Sequence, residues 1–467
     1  MGERWARALA AMLGAWAVGA GAEAAEGPQD LRTFTVQAPL DYRAPAGRTV
    51  TLRYAVAPAT DPHAAAAPIF VIEPLAESGV DTAPRGLLQT LAALRRDHDL
   101  VFVDQRGVGG EGVLACPAAD ATLGAYSPAR LAVCAPRLDP GVLRSLNSGT
   151  FANDLETVRR RLGTPRILLI GYFYGARIGL DYLGRWPGRV IAAAFTDVAP
   201  TGSSGSVEGA RSSDAAVAAT LAACRAQPAC QARYPALAAD YDRVRRRLDT
   251  AQFSVAPAGD GRPGVLDGRS VLRWLVGQTF RWRSAADWPR LVHDLAEGRD
   301  EAVVAAYLRD RGALRADYPI AERLTVECAE DAGLLRPAAL AVAGTTGAVI
   351  AASGDGAGPE AEACRTWPHS RYRSPPPRRA HTPILAIVGA DNIAGPPADV
   401  RRSLAPWPRA RLVVLPGRSR AADNDWDACV GPLVTAFLTT PGRSLDTGCA
   451  ASLRRPEFRA LAAPAQG

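Results

Sequence analysis

The chain has 467 residues, 48% of them hydrophobic, and a formal net charge of +7 whose basic side is all arginine, since no lysine occurs. That length and apolar content exclude a disordered chain and allow one large core with an inserted subdomain. The arginines are scattered, with short runs at 159–161 and 245–247 and no stripe interleaved with aromatics, so no nucleic-acid partner is expected.

Taken in chain order, Arg4 and Arg7 precede an apolar run over 8–22 that ends in the small-residue triplets Ala20-Gly21-Ala22 and Ala22-Glu23-Ala24. This predicts a cleaved secretory signal over 1–24. The run is short for a transmembrane helix, so no stable membrane span is expected, and the mature chain is expected in the periplasm or outside the cell. The eight cysteines fit an oxidising compartment. Many pairings are open to eight cysteines; the expectation adopted is sequential, Cys116–Cys134, Cys224–Cys230, Cys328–Cys364 and Cys429–Cys449.

Residues 33–36 and 49–55 alternate apolar and polar, which predicts an antiparallel pair. Continuous apolar runs then occur at 69–72, 100–103, 167–170, 190–195, 384–388 and 412–415, as suits parallel strands buried on both faces. Helical patterns lie between them at 84–96, 152–162 and 176–185, which implies a doubly wound, mostly parallel α/β sheet. From 201 to 379 amphipathic helical stretches dominate, at 214–224, 235–248, 270–280 and 288–297. They predict a helical lid inserted between two strands, and the Gly/Ala-rich stretch 344–359 is expected to be a mobile loop. The expected division is signal 1–24, core 25–200, lid 201–379 and core again over 380–467.

The segment Gly171-Tyr172-Phe173-Tyr174-Gly175 follows the strand at 167–170 and opens a helix at Ala176. Flanking glycines, a sharp turn and a strand-to-helix junction have the form of a nucleophile elbow, G-x-S-x-G. Its centre should be Ser, Cys or Asp, yet it is Phe173, which has no atom able to attack a carbonyl.

The run from Gly171 to Val190 resembles the elbow helix of the exported hydrolases related to proline iminopeptidases, including tripeptidyl aminopeptidases with a TAP-like C-terminal region. The similarity extends in order through Asp104-Gln105-Arg106-Gly107, Asp154-Leu155-Glu156, Cys224 to Cys230 with Tyr234-Pro235, Cys328-Ala329-Glu330-Asp331, Cys364 to Pro368 and Leu445 to Cys449. The resemblance implies an α/β-hydrolase fold with an inserted lid. It also implies a cofactor-free Ser, Asp, His triad acting on N-terminal residues of peptides or on small amides and esters. Carried onto this chain, the serine position is Phe173. The acid register in 389–397 falls on Asn392, with Asp391 one residue away. The histidine position after Pro416-Gly417 falls on Arg420. Independently of any resemblance, no histidine follows His381. The oxyanion region, Glu73, Pro74, Leu75 and Tyr174, departs from the glycine-rich family turn: proline lacks an N–H, and Glu73 would bring negative charge near a developing oxyanion.

The expected consequence is a catalytically inactive scaffold that binds a peptide, a small molecule or a protein partner in its lid pocket. In the resembled family acidic lid residues hold a substrate amine, which makes Glu330 and Asp331 candidate ligand contacts. Tyr172 and Arg106 are weaker candidates, both read first as packing and anchoring residues. Glu73, Asp391 and Arg420 are expected to fill the old cavity as an ion-pair plug. The alternative reading is an active hydrolase or aminopeptidase with a non-standard site, drawing on Tyr172 or Tyr174 as nucleophile or on His98, His293 or His369 as base. No metal-ligand spacing, P-loop or dinucleotide fingerprint is present, so neither metal nor cofactor is expected.

Overall fold

A computed structural model describes residues 31–116, 126–255, 264–279, 285–312, 319–335, 345–375, 381–421, 426–455 and 457–459. The expected signal at 1–24 lies outside these residues. β1 (Arg32–Pro39) and β2 (Thr49–Ala57) pair antiparallel, and β2 continues antiparallel to β4 (Leu100–Val103). All remaining pairings in that sheet are parallel, through β3 (Ile69–Ile72), β5 (Ile167–Tyr172), β6 (Val190–Thr196), β9 (Ile384–Gly389) and β10 (Ala410–Leu415). The eight strands run in the order β1-β2-β4-β3-β5-β6-β9-β10. β3, β4 and β9 are buried at every residue, as their unbroken apolar runs require of strands covered on both faces. One covering core holds Phe70, Leu169, Phe195 and Tyr182; the other holds Val71, Ile170, Leu385 and Phe437.

Between β6 and β9 the chain leaves the sheet for a largely helical segment with its own core around Trp288, Leu248, Leu275 and Val292. Its helices include Gly205–Ala226, Leu237–Leu248, Gly268–Gln278, Trp288–Ala296 and Ile320–Asp331. A short hairpin that the sequence reading did not anticipate, β7 (Gln252–Val255) and β8 (Gly264–Asp267), joins two of them.

Two local expectations are corrected. The stretch expected to be a mobile loop carries the helices Thr345–Ala351 and Ala357–Thr366. The Asp214 carboxylate accepts from the Thr346 and Gly347 N–H groups at 3.0 and 3.4 Å, and Val349 and Ile350 are buried in the lid core. The helix expected over 84–96 is broken into Ala83–Arg85, Leu87–Thr90 and Ala92–Arg95; Gly86, at φ 129°, makes the first break, and Leu91 the second.

The disulfides pair in the sequential order expected. Beyond the Cys429–Cys449 bridge the chain returns to the lid. Phe458 is buried in the lid core, and its N–H donates to Gln227 Oε1 at 2.9 Å. Among the described residues no helix is long and apolar enough to cross a membrane.

Candidate functional site

β5 ends in the elbow. Phe173 adopts φ 48° and ψ −105° and caps the helix Tyr174–Arg185 without a side-chain hydrogen bond. A non-glycine residue there costs about 1–3 kcal/mol, so the surroundings must impose the turn. The Phe173 N–H donates to Thr196 O at 2.9 Å, and its carbonyl accepts from Ala176 N and Ala199 N at 3.2 and 3.0 Å. The flanking glycines permit close approach: a Cβ on Gly171 would lie 2.8 Å from Ala176 N, and one on Gly175 would collide with the Ile72 carbonyl. Among the described residues, the non-glycine positions with positive φ are Ala76, Phe173 and Asp197, and all three stand at the carboxyl edge of the sheet. Strain is therefore concentrated around one location.

That location is a cavity of about 480 Å³ between sheet and lid. Phe173, Asn392 and Arg420, the three positions where the resemblance expects a catalytic serine, acid and histidine, all line it. Asp197, which sequence reasoning missed, sits among them. Its carboxylate accepts Ala421 N through both oxygens at 2.8 and 2.9 Å, and Asn392 Nδ2 at 3.2 Å. Asn392 Oδ1 accepts from Ala394 N and Gly395 N at 3.1 and 2.9 Å. Its one sequence signal was its place immediately after β6, at the same edge of the sheet as the elbow. None of the histidines His63, His98, His293, His369 and His381 lines the cavity. His98 Nδ1 lies 2.7 Å from Ala67 O, His293 Nδ1 lies 3.6 Å from Asp240, and His369 Nδ1 lies 2.8 Å from Trp367 O.

The turn after β3, expected to be the oxyanion region, is held by side chains that follow β4. Gln105 Nε2 donates to Glu73 O at 3.2 Å and Pro74 O at 2.9 Å, and Asp104 receives Ser78 Oγ and Val80 N at 2.9 and 3.1 Å. The Asp104-Gln105 pair thus holds the turn after β3 in place. Leu75 and Tyr174 line the cavity, and among the described residues their backbone N–H groups donate to no protein atom. The expectation about Glu73 is corrected. Burial, with Glu77 and Asp104 nearby, pushes its carboxyl up to about 8, so at neutral pH it is mostly protonated and brings little negative charge.

The ion-pair plug is corrected as well. Asp391 pairs with Arg455, and no arginine figures among the charges acting on Glu73. Register explains this, because the Asp391 N–H bonds Arg418 O and turns its side chain toward the chain following Cys449.

The lid acids are only partly available. Glu330 accepts Tyr174 Oη and Ser148 N, each at 2.6 Å, pairs with Arg177 at 3.0 Å, and lines a neighbouring cavity instead of this one. Asp331 lines the cavity and lies 3.3 Å from Arg177; burial raises its carboxyl to about 7, against the lowering effect of that guanidinium. One helical turn earlier on the same helix, Glu327 also lines the cavity, accepting Tyr126 Oη at 2.5 Å and Arg323 Nε at 2.9 Å. Tyr172 and Arg106 are absent from the lining. The Tyr172 ring lies beside Trp426 with centroids 6.1 Å apart, its hydroxyl buried and its pKa raised by that burial. Arg106 binds Asp154 Oδ2 at 2.8 Å and the carbonyls of Pro39 and Leu40, which makes it an anchor between the sheet edge and the helix Ser148–Arg161.

The strand order, the lid between β6 and β9 and the strained turn closing β5 define an α/β-hydrolase fold. No family model matches the chain. It is similar to the serine protease Hip1 of Mycobacterium tuberculosis and of Mycobacterium bovis, 30% identical over 178 residues and covering 33% of this chain and 33% of each relative. The match thus spans about a third of the length of the curated relatives. Solved structures similar to it include a haloalkane dehalogenase DatA mutant from Agrobacterium tumefaciens (13% identity, TM-score 0.39, covering 88% of this chain and 98% of that one). A thermophilic esterase from Thermogutta terrifontis (12% identity, TM-score 0.38) covers 87% of this chain and 97% of its own.

Proposed function

We propose that this is an exported α/β-hydrolase-fold protein that has lost serine-hydrolase chemistry and binds short peptides in the cavity between core and lid. The observation that carries the reading is Phe173 at the apex of an intact, strained elbow. Other hydroxyls at the cavity are engaged elsewhere: Ser203 Oγ donates to Pro200 O, Ser206 Oγ to Glu360, and Tyr174 Oη to Glu330. With no imidazole lining the site, none of them has a general base of the usual kind. Loss of a complete triad removes roughly 10⁶ of rate.

Peptide binding is supported by the cavity size, which falls within the range of about 300–1,000 Å³ typical of small-ligand sites. It is also supported by Glu327 and Asp331 on the lid wall, placed to meet a ligand amine, and by the partial similarity to a protein named a serine protease. Export is supported by the four disulfides and by the N-terminal charge and apolar pattern.

The test is exposure of the purified protein to a fluorophosphonate probe and to aminoacyl-anilides. The expected result is neither labelling nor turnover above background. Stoichiometric labelling, or hydrolysis abolished by a single substitution in the cavity, overturns the reading.

A further inference from the structure

We propose that the floor of the cavity binds the free α-carboxylate of the ligand, so that this protein captures short peptides as free acids, in the form a hydrolase would release. The inference rests on the binding reading above and names the ligand class of that site.

Three features of the floor support it. The Leu75 and Tyr174 N–H groups still lie at the place where this fold gathers donors for a negatively charged oxygen, and both donate to no protein atom among the described residues. The turn that presents them is held by Gln105 and by the imposed backbone at Phe173 and Ala76, so the donors are arranged in advance of any ligand. In place of an imidazole that would exchange protons there is Arg420, lining the same cavity. A guanidinium stays charged at every physiological pH. Its fork of donors matches a carboxylate and retains donors for a ligand after engaging another group.

Glu77 and Asp197 line the same cavity, Asp197 accepting Ala421 N and Asn392 Nδ2, while Glu73 is buried away from the lining with its carboxyl pushed up to about 8. Phe173 contributes an apolar wall where a nucleophile would attack. The lining carries both signs, with the acids Glu77, Asp197, Glu327 and Asp331 alongside the guanidiniums Arg177, Arg273, Arg323 and Arg420. A short zwitterionic peptide, its amine toward the lid helix and its carboxylate toward the floor, complements that pattern. An ester or a C-terminal amide has no charge to offer Arg420.

The test is calorimetric titration of the disulfide-intact protein with trialanine, trileucine and triphenylalanine, each as the free acid and as the C-terminal amide. The free acids are expected to bind at least about tenfold more tightly than the amides, the loss of one charge-assisted contact. Arg420→Gln is expected to abolish that preference, and Arg420→Lys, which keeps the charge, to restore part of it. Equal affinity for acids and amides overturns the carboxylate inference and leaves peptide binding standing. Binding of neither form overturns both. A preference that survives in a folded Arg420→Gln variant removes Arg420 from the inference and overturns it as stated.

Discussion

The Asn392 side-chain amide donates to Asp197 Oδ1 at 3.2 Å, across 195 residues of sequence, at the position where the resemblance to exported hydrolases expects a catalytic acid. An asparagine is required by its neighbours: its Nδ2 meets a carboxylate while its Oδ1 collects two backbone N–H groups. Asn392→Asp sets two buried carboxylates against each other, and one of them must then hold its proton to a higher pH than in the unfolded chain. We expect a loss of about 1–3 kcal/mol at pH 8. Because the raised group binds its proton more tightly when folded, the deficit shrinks as pH falls toward the ordinary carboxylate range. Urea denaturation at pH 5 and pH 8 checks this; equal stability of variant and wild type at pH 8 contradicts it.

The same contact bears on how serine-hydrolase chemistry could be installed. Asp197 receives the N–H of Ala421, next to Arg420, where the resemblance expects a histidine, so it sits where an imidazole at 420 would find an acid. Phe173→Ser with Arg420→His is expected to hydrolyse p-nitrophenyl acetate on the order of 10²-fold faster than wild type. Adding Asn392→Asp should bring no further gain, whereas adding Asp197→Asn should remove the activity. Initial rates for the four proteins decide it, and a gain that depends on Asn392→Asp would refute the role given to Asp197.

Glu73 predicts a pH dependence of stability. Its folded pKa is raised from 4.5 to about 8, mainly by burial, so the folded chain holds a proton that the unfolded chain releases. The stability contribution is complete below about 4.5 and is lost as pH rises to about 8, at roughly 1.4 kcal/mol per pH unit at most. Glu73→Gln removes this titration. Its denaturation midpoint should fall less steeply than that of wild type between pH 5 and pH 8, and parallel curves would show that Glu73 does not titrate in that window.

Arg106 and Asp154 form a pair with 2% side-chain exposure on each side. Removing one partner strands the other charge in the core, so Arg106→Leu should cost about 3–5 kcal/mol. Because Arg106 lies away from the cavity, peptide affinity of the remaining folded protein should be unchanged. Guanidinium denaturation and calorimetry together separate that anchoring role from a ligand contact.

Much of this protein can be read along the chain because the governing physics is local. Unbroken apolar runs at 69–72, 100–103 and 384–388 can be covered only inside a two-sided sheet, and they became β3, β4 and β9. The glycines of the elbow announced a close approach that the Ile72 carbonyl and Ala176 N make concrete. The phenylalanine between them, and the absence of histidine beyond His381, are properties of composition and order alone.

Tertiary structure decided whatever depended on side chains meeting from distant segments. Asp391 could have faced Arg420, but the hydrogen bond from its N–H to Arg418 O turned it to Arg455 instead. Glu330 reads along the chain only as an acidic lid residue, and the fold gives it Arg177, Tyr174 and Ser148 as partners. The segment after residue 344 reads as a loop because glycine and alanine carry weak helical patterning, and only the cap from Asp214 and burial in the lid core order it. Sequence alone put a phenylalanine between the elbow glycines; which groups share the cavity was set by packing, because an ion pair or hydrogen bond between remote residues leaves no periodic trace in the chain.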